Sequence, residues 1–211
     1  MRAPRLPPYG GEAADALVQE AARILCEEAQ SDYRTAKLKA RERLGLSPRA
    51  PLPDNARIQA AVIEYQRLFG GQAYAERLRA LRQVAVQAMR LLAPFEPRLV
   101  GAVASGAITQ AHRVQLHVFA DAPETLDRFF QDRGIDFQAD DRSYRYPDGR
   151  EESVPLVRFE AGAVGVDVAI FERGALRRAP LSPTDGAPMK RLDLAQAEAL
   201  ARLDVATILA A

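Results

Sequence analysis

A chain of 211 residues can bury a full hydrophobic core, either as one large domain or as two small ones. Its 48% hydrophobic and 27% charged residues match a soluble globular protein, and no apolar run approaches the roughly 20 residues of a membrane span. Cys26 is the single cysteine, which excludes an internal disulfide and a cysteine-based zinc cluster. We therefore expect a protein of the reducing cytoplasm without a membrane partner, and the abundance of alanine and arginine is typical of a GC-rich bacterial genome.

The net charge of +1 conceals an asymmetry between the two halves of the chain. Residues 1–95 carry 15 basic and 10 acidic side chains, whereas residues 96–211 carry 14 basic and 18 acidic ones. Such a basic excess can contact nucleic-acid phosphates, and the alternative is a solvated helix face. The excess is concentrated around one predicted helix, in Arg34, Lys37, Lys39, Arg41, Arg43 and Arg49.

The first half of the chain is predicted to be helical. Apolar side chains recur at helical spacing over residues 14–44, which predicts one helix or a broken pair of helices. The three prolines of residues 47–53 predict a stiff connector. Apolar stripes within residues 58–69 and 78–92 predict two more helices, the first of them ending at a Gly-Gly pair.

In the second half the apolar period changes from helical to alternating, which predicts β-strands. Single strands are predicted for residues 98–103, 113–119 and 165–171. A Pro-Asp-Gly-Arg turn predicts a hairpin between two further strands, residues 142–146 and 153–159. The predicted fold class is α+β, in which a helical region packs on a mixed β-sheet flanked by helices. The predicted boundary divides residues 1–95 from residues 96–211.

Helix starts are predicted from polar residues that can cap free backbone N–H groups. Asp54 is a predicted N-cap. Asp121 with Glu124, and Asp193 with Gln196, have the three-residue spacing of a capping box. These residues therefore predict the starts of three helices.

The most informative pattern is a glycine turn followed by a strand. Gly101 and Gly106 are predicted to lie in a strand-to-helix turn, and an alternating strand begins at Arg113. Arg113, Gln115 and His117 fall on one face of this strand, since strand side chains alternate. Glycine turns let backbone N–H groups approach a phosphate closely. The spacing resembles the glycine turn and following strand of the small nucleotidyltransferase-fold domains.

The resemblance implies a metal site that this chain retains only in part. In that family the turn reads Gly-Ser and the strand carries two aspartates one residue apart, because carboxylate oxygens hold the Mg²⁺ ions of nucleotide transfer. Here Ala102 stands at the serine position, and Arg113 and Gln115 stand at the two aspartate positions. A third carboxylate of the family lies on a later strand, where Asp167 in Gly-Val-Asp-Val-Ala is the matching residue.

The resemblance therefore predicts a nucleotidyltransferase-like protein that has lost metal-dependent transfer and binds a nucleotide, RNA or a protein partner. Asp167 is the candidate catalytic residue; no metal ligand is predicted, and Mg²⁺ is expected only if transferase activity survives. The candidate phosphate- or nucleotide-binding residues surround the turn and one face of the strand: Gly101, Ser105, Gly106, Arg113, Gln115 and His117.

Two other functions remain open. An active Mg²⁺-dependent nucleotidyltransferase would use Asp167 together with an acid such as Asp121 or Asp136. An RNA-binding protein would use the basic helix, residues 34–43, and its affinity would fall steeply with salt. The residues in contact with RNA would then be Arg34, Lys37, Lys39, Arg41 and Arg43.

Arg113 has two alternative roles. Its guanidinium can pair with a phosphate in place of the lost metal, or with an acid such as Asp167, which would close the site. His117 is expected to be a hydrogen-bonded residue on a half-covered sheet face; the alternative is a transition-metal site with Gln115 and Asp167.

Tyr144 and Tyr146 alternate with two arginines in the predicted hairpin. They can stack on a nucleic acid strand, or they can belong to a plain surface hairpin.

Overall fold

The computed structural model describes residues 11–28 and 32–211, and within them the predicted α+β fold class is confirmed. The helices of this part are α1 (Gly11–Glu27), α2 (Tyr33–Arg43), α3 (Asn55–Tyr65), α4 (Gly71–Leu91), α5 (Gly101–Ser105), α6 (Glu124–Gln131), α7 (Leu194–Ala201) and α8 (Val205–Ala210). Its strands form one sheet: β1 (Arg98–Val100), β2 (Val114–Phe119), β3 (Gln138–Arg145), β4 (Glu151–Ala161) and β5 (Val164–Phe171). Among the described helices, none has the length and apolar character needed to cross a membrane.

Two of the predicted helix caps are confirmed. The Asp54 side chain accepts a hydrogen bond from the backbone N–H of Arg57 at 2.7 Å, which caps α3. Asp193 and Gln196 form the reciprocal bonds of a capping box at the start of α7.

The predicted capping box at Asp121 and Glu124 is wrong. Helix α6 begins at Glu124, and Pro123 before it already has helical backbone angles and provides no side-chain cap. Because proline fixes φ near its helical value, it can start the helix without a capping side chain. Asp121 instead forms an exposed ion pair with Arg173 at 3.3 Å.

The strand order in the sheet is β1-β2-β5-β4-β3. Strands β2 and β5 run parallel, and the other neighbours are antiparallel. Gln115 lies opposite Asp167 in this register, and His117 lies opposite Ala169. We call the face that carries these four residues the second face. The first face of β2 carries Val114, Leu116 and Val118.

Each face of the sheet has an apolar core. The first face packs against α4, α6, α7 and α8 in a cluster that includes Leu78, Leu116 and Phe130. The second face carries a smaller cluster around Tyr144 and Phe171. Residues on both faces of β2 and β5 are therefore shielded from solvent.

Residues 172–192, which we call the strap, cross part of the second face. The N–H of Leu181 donates to the carbonyl of Arg145 at the end of β3, at 2.7 Å. At its other end Leu192 exchanges two backbone hydrogen bonds with Leu99 of β1, at 2.8 and 2.9 Å. The strap thus runs from one edge of the sheet to the other.

Helices α1, α2 and α3 form a separate apolar cluster, which we call the three-helix unit. The remainder of the chain contributes Ala107 to this cluster. Helix α4 packs on the sheet instead, and it is joined to α3 by a π-helical turn, Gln66–Gly70. The domain boundary at residue 95 stays a prediction, and part of the predicted first domain lies outside the described residues.

Candidate functional site

The glycine turn forms where the sequence predicts it, around one turn of helix. Strand β1 ends at Val100 and α5 begins at Gly101, so the predicted strand 98–103 is shorter than expected. Gly101 has φ +72° and Gly106 has φ +91°, conformations that side chains disfavour. A Cβ at Gly101 would also overlap the side-chain amide of Gln115. Bare backbone therefore lies directly against β2.

Asp167, the candidate catalytic residue, is buried in the second face opposite Gln115, with 6% of its side chain exposed. Both of its carboxylate oxygens accept hydrogen bonds from guanidinium groups. Arg113 Nε donates to Oδ1 at 2.7 Å, and Arg142 Nη2 donates to Oδ2 at 3.0 Å. Two cations of the chain itself therefore balance this carboxylate.

Arg113 uses its other donors within the protein as well. Its Nη1 donates to the Glu160 carboxylate at 2.8 Å, and its Nη2 donates to the Phe159 carbonyl at 3.3 Å. The guanidinium lies against the backbone of Gly165, where any Cβ would overlap it. Of the two roles considered for Arg113, the geometry is that of the ion pair with Asp167, and a phosphate would have to displace these partners.

The surroundings of Asp167 do not fit Mg²⁺. This ion prefers several hard oxygen ligands in octahedral geometry. Arg113 and Arg142 instead aim positive N–H groups at both carboxylate oxygens, and Gln115 offers one neutral amide. Within the described residues, no group of three or more His, Cys, Asp or Glu side chains could hold a metal ion.

The other two acids considered for catalysis lie away from Asp167. Asp121 follows β2 six residues beyond Gln115, which corresponds to about 20 Å along an extended strand. Asp136 is exposed and precedes β3. Strand β4 lies between β3 and β5, and its Arg158 lies opposite Asp167. Neither acid joins the buried carboxylate.

His117 is buried on the second face, more completely than the sequence predicts, with 1% of its surface exposed. Arg191 Nε donates to its Nδ1 at 3.1 Å, so the ring proton lies on Nε2 and faces the Tyr144 hydroxyl at 3.2 Å. Burial, and then the charges of Arg191 and Arg142, hold the pKa of His117 well below its ordinary value. His117 is a neutral hydrogen-bonding residue.

Arg191 holds the strap onto the sheet. Its guanidinium lies over the rings of Phe119 and Phe171, at 5.0 and 4.8 Å from their centres. Its Nη1 donates to the carbonyl of Ala175 at 2.8 Å. Burial lowers the pKa of Arg191 to about 10.

Sequence reasoning missed Arg191 altogether. It considered Arg142 only as one of the arginines that alternate with Tyr144 and Tyr146, and not as a partner of Asp167, because that partner lies on a distant strand.

Tyr144 and Tyr146 are buried beneath the strap, with 8% and 3% of their surfaces exposed. They form part of the apolar cluster of the second face together with Phe171. Neither ring presents a free face on which a base could stack, so both of the surface roles considered for them are excluded.

A cleft of about 1330 Å³ lies between the three-helix unit, the glycine turn and the strap. Three of the candidate binding residues line it, namely Gly101, Ser105 and Gln115. Three cations from other elements also line it: Arg34, Lys37 and Lys190. The other candidates, Gly106, Arg113, His117 and Asp167, are outside the described lining of the cleft.

The cations of the basic helix point to different partners. Lys39 and Arg43 form ion pairs with Glu28 at 3.2 and 2.6 Å, and Arg43 also contacts Glu20 at 3.3 Å. A nucleic acid on this side would have to compete with both acids.

The remaining cations lie on the other side of the same helix. Arg34, Lys37 and Arg41 recur at the three- and four-residue spacing of one helix face. Lys37 Nζ donates to the Asn55 amide oxygen at 2.7 Å and to the Pro53 carbonyl at 3.1 Å. The basic helix therefore contributes two of its five cations, Arg34 and Lys37, to the cleft.

Comparison of the sequence with protein-family models gives no match, and comparison with the curated proteins gives none either. Two features of the described residues bear on the function. One is the carboxylate balanced by arginines on the second face. The other is the cleft beside the glycine turn.

Proposed function

We propose that this chain is a nucleotidyltransferase-like binding protein that has lost metal-dependent nucleotide transfer. The observation that carries the proposal is the pair of guanidinium groups on Asp167, at 2.7 and 3.0 Å from its two oxygens. They surround the carboxylate that the resemblance would assign to a metal ion. Without clustered carboxylates, no metal is held to stabilise the attacking and leaving oxygens of an in-line displacement.

The features that remain are those of a binding site. The bare backbone of Gly101 and the hydroxyl-bearing side chain of Ser105 line the cleft. Its volume of about 1330 Å³ exceeds the roughly 300–1,000 Å³ of most small-molecule pockets, so a nucleotide would fit within it. We propose that a nucleotide binds there without a divalent ion.

Thermal unfolding with a panel of nucleoside triphosphates tests the binding. A ligand at about 100 times its dissociation constant adds roughly 2.7 kcal/mol to the free energy of unfolding. We expect the same increase in Tm in EDTA as in Mg²⁺ or Mn²⁺. An increase that needs the divalent ion would contradict the proposal.

Transfer itself is tested by incorporation of a labelled nucleotide with Mg²⁺ or Mn²⁺. We expect no metal-dependent product from the natural chain or from Asp167→Asn, because the arginines already occupy the carboxylate. Product that is formed by the natural chain and lost in Asp167→Asn would overturn the proposal. Asp121→Asn is the matched control, since that acid lies at the far end of β2.

A further inference from the structure

We infer that the cleft binds an organic phosphate, a phosphate group joined to an apolar body, and that this ligand bridges the three-helix unit and the strap. The inference rests on the proposed function, because it assigns a ligand class and binding residues to the same cleft. The residues assigned to the anionic group are Arg34 and Lys37 of α2 and Lys190 of the strap.

The charge balance of the cleft favours an anion. Two acids, Asp32 and Asp185, also line it, but both are turned toward the N–H groups of their own turns. Asp32 accepts hydrogen bonds from the N–H groups of Arg34 and Thr35, at 3.2 and 2.8 Å. Asp185 accepts a hydrogen bond from the N–H of Ala187 at 3.1 Å. The Thr35 hydroxyl and then the N–H groups of Thr35 and Arg34 lower the pKa of Asp32. The Ser182 hydroxyl and then the Ala187 N–H lower the pKa of Asp185. The negative charge of both acids is therefore partly balanced within the chain.

The three cations are more available. Arg34 and Lys190 are exposed, and among the described residues neither side chain donates a hydrogen bond or forms an ion pair. The Lys37 ammonium has two neutral oxygen partners, on Pro53 and Asn55, and no carboxylate partner in the described part of the chain. Asp32 lies near Arg34 and Asp185 lies near Lys190, but neither acid forms a direct ion pair with its neighbour among the described residues. A negatively charged group in the cleft would therefore compete with these two acids only through longer-range attraction.

The apolar side chains that line the rest of the cleft favour a ligand that also has an apolar part. Leu52 comes from the connector before α3, and Ala104 comes from α5. Met189 and Leu200 come from the strap and α7. An inorganic anion would leave this surface in contact with water, whereas a ligand with an apolar part would bury it, at roughly 25 cal/mol per Å² of area removed from water.

The position of the cations makes the ligand a bridge. Arg34 belongs to the three-helix unit, and Lys190 belongs to the strap. Among the described residues, one side-chain hydrogen bond joins these two parts directly: Asn55 donates to the Pro183 carbonyl at 2.8 Å. An anion held from both sides would add to this bond.

Calorimetric binding in EDTA, with AMP, octyl phosphate and inorganic phosphate as probes, tests the ligand class. We expect at least one organic phosphate to bind saturably, one per chain, and more tightly than inorganic phosphate. Tighter binding of AMP would identify a nucleoside as the apolar body, and tighter binding of octyl phosphate would identify an alkyl chain. Absence of saturable binding by both organic phosphates would overturn the inference.

Charge-neutralising variants test the assigned residues. Arg34→Gln and Lys190→Gln should each raise the dissociation constant of the better probe about tenfold, the usual effect of losing one hydrogen bond to a charged group. Lys39→Gln removes the same charge from the opposite side of α2, which does not line the cleft, and should leave affinity within about twofold. Equal affinities in all three variants would overturn the assignment.

Hydrogen exchange tests the bridge. The bound probe should slow exchange both in residues 33–43 and in residues 182–192, and protection of one segment alone would contradict bridging. Metal-dependent transfer in the incorporation assay would overturn the proposed function, but it would not change the probe and variant affinities measured in EDTA. Failure of the proposed function is therefore distinguishable from failure of this inference.

Discussion

The pair of Asp167 and Arg113 shows how the residue at one position decides which charge surrounds a buried carboxylate. A carboxylate at residue 113 would add negative charge beside Asp167 and favour a divalent ion, whereas the guanidinium supplies the positive charge itself. The contact depends on a third residue, because only glycine at 165 leaves room for the Arg113 side chain. These three positions are therefore energetically coupled.

Arg113→Met should lower the free energy of unfolding by about 2 kcal/mol, because it removes a charged hydrogen bond from a buried carboxylate. Gly165→Ala should cost a similar amount, because its Cβ displaces the same guanidinium. The double variant should lose no more than the larger single loss, as measured by urea unfolding. Additive losses would show that Gly165 acts independently of Arg113.

Arg158→Met is the matched control for these variants. Arg158 lies 4.0 Å from Asp167, and its exposed guanidinium pairs with Asp140 at 2.6 Å. Its loss should cost less than about 1 kcal/mol, as is usual for surface ion pairs.

At the scale of elements, the strap depends on a histidine that stays neutral. Three groups face His117: Arg191 from the strap, and Arg142 and Tyr144 from β3. Protonation would place a third positive charge among two arginines and remove the nitrogen that accepts the Arg191 hydrogen bond. Protonation of His117 would therefore weaken the contact between the strap and the sheet.

Stability should therefore fall as pH decreases. The pKa of His117 in the folded chain lies well below its unfolded value of about 6.5, so the unfolded chain binds the proton first. The free energy of unfolding that depends on neutral His117 is fully present above about pH 6.5. It decreases as the pH falls from there toward the lower pKa of the folded chain. Urea unfolding between pH 7.5 and 5 should show this slope, and His117→Gln should reduce it.

His112→Gln is the comparison for that experiment. Burial also lowers the pKa of His112, but to a smaller extent than that of His117. Its substitution should reduce the slope less than His117→Gln does. An unchanged slope in His117→Gln would show that other groups control the acid sensitivity.

The period of the apolar residues was sufficient to predict most elements. Alternation predicted β2 within one residue of its observed start, and the Pro-Asp-Gly-Arg turn predicted the hairpin of β3 and β4. The predicted strand 98–103 is too long because the chain turns into α5 at Gly101. Apolar periodicity alone does not report such a change in backbone direction, which depends on a positive φ.

The candidate site was predictable only where residues lie on one strand. Strand alternation placed Gln115 and His117 on the same face, and the alternative pairing of Arg113 with Asp167 could be proposed from charge. Arg142 and Arg191 reach this face from β3 and the strap, through contacts that no local pattern records. The cleft likewise depends on the packing of three separate parts of the chain.

At the scale of the whole molecule, the described chain has a core on each face of the sheet and a third core in the three-helix unit. The core of the three-helix unit is rich in small alanine side chains, whereas the core on the first face is built from larger side chains of the sheet and α4. Because an alanine side chain buries less apolar area than the larger side chains of the first face, opening of the three-helix unit should cost less free energy.

Native-state hydrogen exchange should therefore be faster in α1, α2 and α3 than in α4, β2 and β5. The expected order can be read from peptide-resolved mass spectrometry without any ligand. Uniform protection across both parts would instead show that they open as one cooperative unit. The bonds donated by Asn55 and Gln66 would then couple the two cores more strongly than their number suggests.

The glycine beneath the Arg113 side chain also restricts how this sequence can evolve. An aspartate introduced at 113 alone would set a second acid beside Asp167 while Arg142 still competes for it. A larger residue at 165 would first break the existing ion pair. Each single step toward a carboxylate-lined metal site at this position thus passes through a less stable protein, so single substitutions do not easily replace the arginine-balanced arrangement.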